Sequence, residues 1–121
     1  MARLSSLASV ADTRAVLDRF GLSTKKSLGQ HFLINDGVVE RICNLAELSH
    51  TDRVVEVGPG IGTLTEALLK RSGEVVSIER DTNLIEVLEE TCASFSDTFS
   101  LISADALDVQ EIGRASCRER V

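Results

Sequence analysis

Val55-Glu56-Val57-Gly58-Pro59-Gly60-Ile61-Gly62 decides how this chain folds. A β-branched run ends abruptly in three alternating glycines, and a helical pattern opens directly after them. That order predicts a buried strand, a tight turn and a helix, the unit at which α/β sheets receive a nucleotide. A side chain at Gly58 or Gly60 would stand between the backbone and a ligand, while Gly62 is expected to let the helix pack closely on the strand.

Working outward, Arg53–Val57, Glu74–Ile78 and Phe99–Ser103 are short β-branched or apolar runs bounded by glycine or polar residues, and each predicts a strand. Between them lie two helical patterns: Thr63–Lys70, with Leu64 and Leu68 in register, and a stretch whose Leu84, Leu88, Cys92 and Phe95 form one stripe. Strands alternating with helices imply parallel pairing through crossovers, hence an open α/β sheet of the Rossmann type or the first half of one. Upstream, Asp12 is expected to cap a helix through Phe20, stopped by Gly21 with Leu22 packing back. Asp36 is expected to cap a second helix that buries Val38, Ile42 and Leu45, with Val39 and Ala46 beside them.

The last ten residues, IGRASCRERV from Ile112 to Val121, follow neither period and crowd three arginines and a cysteine into an otherwise acidic chain. Read as codons they resemble one frame of a short-read sequencing adapter, so they are set aside as a foreign scar, with a basic RNA-contacting tail as the other reading. The expected organisation is a helical extension over residues 1–24, the first half of a cofactor-binding domain over 25–111, and the scar over 112–121.

Composition narrows the function. The 121 residues carry a net charge of −6, which argues against a self-sufficient nucleic-acid binder, since phosphate contacts need clustered Lys and Arg. No run approaches the length of about 18 apolar residues that a membrane-spanning helix needs. The opening MARLSSLASVA lacks the continuous apolar core of a secretion signal, so a cytoplasmic protein without a membrane partner is expected. Cys43, Cys92 and Cys117 are too far apart in sequence for a metal or redox pair, and no metal is expected.

The second strand ends in an acid, Glu79, about 20 residues beyond Gly58, where a carboxylate accepts hydrogen bonds from two ribose hydroxyls. Several details disfavour a nicotinamide cofactor: the glycines are spaced GxGxG and not GxGxxG, Pro59 stiffens the turn, and Glu56 lies two residues before it. The pattern is closer to a turn that holds S-adenosyl-L-methionine, which has no pyrophosphate to seat. Asp105, at the end of the third strand, is placed either to accept from an adenine amino group or to cap the turn that follows.

Two stretches now match together, KKSLGQHFL (Lys25–Leu33) and VEVGPGIGTLTEALL (Val55–Leu69), with SADAL around Asp105. In this order and spacing they closely resemble the ribosomal RNA adenine-N6,N6-dimethyltransferase family, over nearly everything from Gly21 to Asp108. The resemblance implies a Rossmann-like S-adenosylmethionine-dependent methyltransferase fold, truncated here after about the third strand. It implies cofactor contacts from His31 and Leu33, with His31 replacing a commoner Asn, from Gly58 and Gly60 to the methionine part, from Glu79 to the ribose and from Asp105 to the adenine. Glu56 is implied to support the glycine turn by hydrogen bonding.

The same resemblance implies a substrate, adjacent adenines of small-subunit rRNA in a pre-ribosomal particle, and a monomeric enzyme. In that family an Asn-Leu-Pro-Tyr or Asn-Leu-Pro-Phe motif after the fourth strand holds the target base, and no such motif occurs in this sequence. The chain itself is therefore expected to be inactive, with no catalytic residue of its own. The family's basic surface lies largely in its second half, so an acidic first half is no contradiction. Lys25 and Lys26 read as a solvated pair, with an rRNA contact as the alternative. Two other readings stay open: a non-catalytic nucleoside-binding module, and the antibiotic-resistance branch that methylates large-subunit rRNA. Loss of a fourth strand also predicts an open hydrogen-bonding edge along Val54–Val57.

Overall fold

The computed structural model describes residues 4–22 and 36–108, together with the backbone of residues 119–120. Its centre is a parallel sheet of β1 (Arg53–Val57), β2 (Glu74–Glu79), β3 (Phe99–Ser103) and the two-residue β4 (Glu119–Arg120), in the order β3-β2-β1-β4. The three longer strands fall where the β-branched runs predict them, with β2 one residue longer. The edge of β1 is less open than expected: Glu119–Arg120, placed by the sequence reading inside the foreign tail, pairs with Arg53 and Val54.

Four helices surround the sheet: α1 (Val10–Arg19), α2 (Asp36–Leu45), α3 (Thr63–Arg71) and α4 (Thr82–Thr91). Helix α1 starts two residues before Asp12. Its cap is Ser9, whose hydroxyl accepts from the Asp12 N–H at 3.0 Å, because a hydroxyl one residue before the helix reaches the first free amides where a side chain inside the first turn does not. Its end follows the sequence reading. Gly21 adopts φ +69°, its N–H donates to Asp18 O and the Leu22 N–H reaches back to Leu17 O at 2.7 Å, the double bond of a glycine-terminated helix.

Helix α2 corrects the expected face. Val39 and Cys43 are buried, whereas Val38 is 45% and Leu45 78% exposed. Adjacent valines leave the phase of a helix ambiguous, and the thiol, one turn beyond Val39, settles it. Asp36, expected before the helix as its cap, is its first residue, and its carboxylate accepts the Leu4 and Ser5 N–H groups at 3.1 and 2.8 Å. Glu66 on α3 holds the same N-terminal segment through the Ser6 N–H at 2.8 Å and hydroxyl at 2.7 Å, so Ser5, Leu7 and Ala8 are buried.

Two apolar clusters result. In one, Val39 and Cys43 of α2 and Ala67, Leu68 and Leu69 of α3 pack with Val54 and Val75 of the sheet. In the other, Val16 and Leu17 of α1 meet Leu84 and Val87 of α4 and Ile61 of the glycine turn, which seats that turn between two helices. Among the described residues no helix is long and apolar enough to cross a membrane.

Candidate functional site

The carboxyl ends of the three longer strands are tied edge to edge. After β1, the Gly58 N–H donates to Ile78 O of β2 at 3.0 Å, and after β3 the Ala104 N–H donates to Glu79 O at 3.1 Å. These two bonds gather Gly58, Gly60, Glu79 and Asp105 along one rim, where open parallel sheets bind ligands. His31 and Leu33, the other two expected contacts, lie outside the described residues, as do Lys25 and Lys26.

The turn runs through left-handed backbone at all three glycines, with φ of +69°, +63° and +99° at Gly58, Gly60 and Gly62. A Cβ at Gly58 would meet no atom within 4 Å, so the space above it is open to a ligand while the backbone conformation itself demands glycine. At Gly62 the expected neighbour is corrected. A Cβ there would stand 2.8 Å from Thr91 Oγ1 and 3.3 Å from Leu88 Cδ2, so this glycine admits α4 and not the strand. Thr91 completes the seat by donating its hydroxyl to Ile61 O at 2.8 Å.

Glu79 is 3% exposed at the end of β2. Its Oε2 accepts the Asp81 N–H at 2.9 Å, and its Oε1 is buried without a hydrogen-bond partner. Thr63 Oγ1, on the first residue of α3, is the other such atom among the described side chains. Buried oxygens without partners are costly, and a ligand presenting hydroxyl or amino donors would satisfy them. A ribose hydroxyl is a donor of the kind that Glu79 Oε1 lacks.

Asp105 does what a turn cap does: its Oδ1 accepts the Leu107 N–H at 3.0 Å at the start of the 3-10 turn Ala106–Asp108. Its Oδ2 stands 3.8 Å from the guanidinium of Arg80, a pair in which Arg80 is 80% exposed, so that oxygen is only loosely held. One carboxylate thus serves the turn with one oxygen and leaves the other in a loose, exposed ion pair.

Glu56 departs from its implied part. It does not bond the glycine turn; its Oε1 accepts the Thr65 hydroxyl of α3 at 2.5 Å and the Ser77 hydroxyl of β2 at 2.9 Å. Burial pushes its carboxyl up to about 7; the two hydroxyl bonds pull it down and the neighbouring charge of Glu79 pushes it further up. Thr63, Thr65, Ser77 and Thr91 were not singled out from the sequence. Register held a signal for one of them, because Glu56 and Ser77 are direct partners across β1 and β2.

The chain matches the family model described as ribosomal RNA adenine dimethylase over residues 21–116. The ribosomal RNA small subunit methyltransferase A of Pediococcus pentosaceus is 48% identical over 78% of this chain and 32% of its own length. That of Staphylococcus haemolyticus is 43% identical over 90% of this chain and 36% of its own. Among solved structures, the 23S rRNA methyltransferase ErmE superposes with a TM-score of 0.61 and 34% identity, covering 65% of this chain and 32% of that one. The chain spans about a third of the length of these curated relatives. With the match running through the glycine turn and all three strand ends, the chain belongs to the ribosomal RNA adenine dimethylase family.

Proposed function

We propose that this chain is the N-terminal, cofactor-binding part of an enzyme that uses S-adenosyl-L-methionine to dimethylate N6 of adjacent adenines in small-subunit rRNA. The observation that carries the reading is Glu79, a buried carboxylate with one oxygen unpartnered, beside a glycine turn open to a ligand. In this reading Glu79 takes the ribose hydroxyls, Asp105 Oδ2 the adenine amino group, and the backbone at Gly58 and Gly60 the methionine part, with His31 and Leu33 covering the cofactor. The cofactor supplies an electrophilic methyl on a sulfonium. The protein's part is to hold donor and acceptor in line.

Transfer to rRNA needs a group that holds the flipped adenine, and the 121 residues contain no Asn-Leu-Pro-Tyr or Asn-Leu-Pro-Phe sequence. The chain alone is therefore expected to aggregate or to bind the cofactor weakly, and not to methylate. Its substrate in the whole enzyme is rRNA of a pre-ribosomal particle, met in the cytoplasm by a monomer. The large-subunit branch is the second reading, favoured by the likeness to ErmE at 34% identity. The higher identity of relatives named for the small subunit, 48% and 43%, supports the first.

Calorimetric titration of S-adenosyl-L-methionine into the chain, beside a Glu79→Ala variant, tests the site. Binding that the variant weakens supports it; equal affinity in the two removes Glu79 from it. A filter assay with methyl-labelled cofactor and small-subunit particles is expected to show no transfer, and labelled rRNA would refute the inactive reading.

A further inference from the structure

Two carboxyls are buried on one face of the sheet: Glu56 is in register with Ser77, and Glu79 lies two residues beyond Ser77 on β2. Glu56 is 6% and Glu79 3% exposed, and neither has a cationic partner among the described residues. The cations nearest in sequence are engaged elsewhere, Arg53 with Glu74, Lys70 with Glu66 and Arg80 with Asp105. Among the described residues, Thr65 from α3 and Ser77 from β2 bond Glu56 through hydroxyls, and the charge that acts on it is that of Glu79, of like sign. Cys43 of α2 and Cys92 beyond α4 feel Glu56 in turn, and burial raises both thiols, Cys92 to about 11, so neither adds a charge at neutral pH.

Two buried carboxylates with no cation against them among the described residues disfavour being charged together, and a proton on one relieves the cost. The surroundings of Glu56 suit a proton. A hydroxyl donates to a carboxylate and, turned about its C–O bond, accepts from a carboxylic acid, so Thr65 and Ser77 satisfy either form. We infer that Glu56 carries a proton in the free chain and releases it to solvent when the cationic cofactor binds, so that cofactor affinity rises with pH through neutrality. The inference rests on the cofactor reading above. In the step the O–H bond of the Glu56 carboxyl breaks, the proton passes to buffer, and no electron changes hands. The bound cofactor would bring a positive charge that the acid pair lacks among the described residues, and Glu56 would answer to it through its protonation state.

Burial and the charge of Glu79 place the carboxyl at about 7, where such a release is measurable. The test is calorimetry of S-adenosyl-L-methionine binding to the chain at pH 7 in phosphate and in Tris, whose ionisation enthalpies differ. Wild type is expected to release about half a proton per cofactor, with affinity rising by up to about tenfold per pH unit below 7 and levelling above 8. Glu56→Gln, which keeps both hydroxyl bonds through its carbonyl oxygen, is expected to bind with that release removed. Protons lost by the cofactor itself appear in both proteins and cancel. Equal release in the two, or a wild-type affinity flat from pH 6 to 8, overturns the inference and leaves the cofactor reading standing. Carbon-13 NMR of the free chain reads the Glu56 carboxyl directly, and titration in the ordinary carboxylate range also overturns it. Titration near neutrality with no cofactor binding at any pH overturns the cofactor reading, and the coupling with it.

Discussion

Replacing Glu56 by Gln is expected to make the chain more stable, by an amount that depends on pH. Folding raises this carboxyl from 4.5 to about 7, with burial the main cause. The folded state thus favours the protonated form. Its contribution to stability is whole below about pH 4.5 and is lost as pH climbs to about 7, above which the loss is constant. The rise from 4.5 to about 7 makes that loss about 3 kcal/mol, a large share of the roughly 5–15 kcal/mol that holds a typical domain together. Glutamine has no proton to lose, and its carbonyl oxygen can accept from Thr65 and Ser77 as Oε1 does. Urea unfolding followed by far-ultraviolet dichroism, at pH 5 and at pH 8, reads the difference. The variant and wild type should differ by about 1 kcal/mol or less at pH 5 and by about 3 kcal/mol at pH 8, the variant being the more stable. The other carboxylates titrate alike in both proteins and drop out. A separation that does not change with pH, or a variant less stable at pH 8, refutes the reasoning.

Other outcomes follow from single contacts. Glu79→Ala removes a charge-assisted acceptor and is expected to weaken cofactor binding by about 1.5–3 kcal/mol, roughly ten- to a hundredfold in Kd by calorimetry. Gly73→Ala would put a Cβ 2.3 Å from His50 O, and since both sides are backbone, the loop before β1 or the start of β2 must shift; a loss above about 2 kcal/mol in urea unfolding is expected. Asp36→Ala leaves the Leu4 and Ser5 N–H groups without their acceptor, and should cost about 1–3 kcal/mol and open residues 4–8 to limited proteolysis.

What could be read from the residues was what depends on near neighbours in the chain. The strands announce themselves because Val54, Val55, Val75 and Val76 are β-branched residues between glycine and polar stops. The glycine turn announces itself because left-handed backbone excludes other residues. The tie of the N-terminal segment could not be read that way. It joins Ser5 to Asp36 and Ser6 to Glu66, 31 and 60 residues apart, through side chains whose local preference is a cap or a solvated helix face.

The rim of the site shows the same division. Glu79 and Asp105 are legible as acids at strand ends because parallel strands end together, and each accepts a backbone N–H of the turn that follows its strand. The hydroxyls beneath are not, since Thr65 and Ser77 are ordinary inside a helix and a strand until the β1–β2 register sets Glu56 opposite Ser77 and the following helix lays Thr65 over both. That arrangement explains how an acid can sit mid-strand at all. An unpaired buried carboxylate is costly, and hydroxyls that can reverse their bonds lower the cost in either protonation state. A backbone N–H could not reverse. The strand therefore holds at Glu56 an acid whose hydroxyl partners, Thr65 and Ser77, suit it with or without its proton.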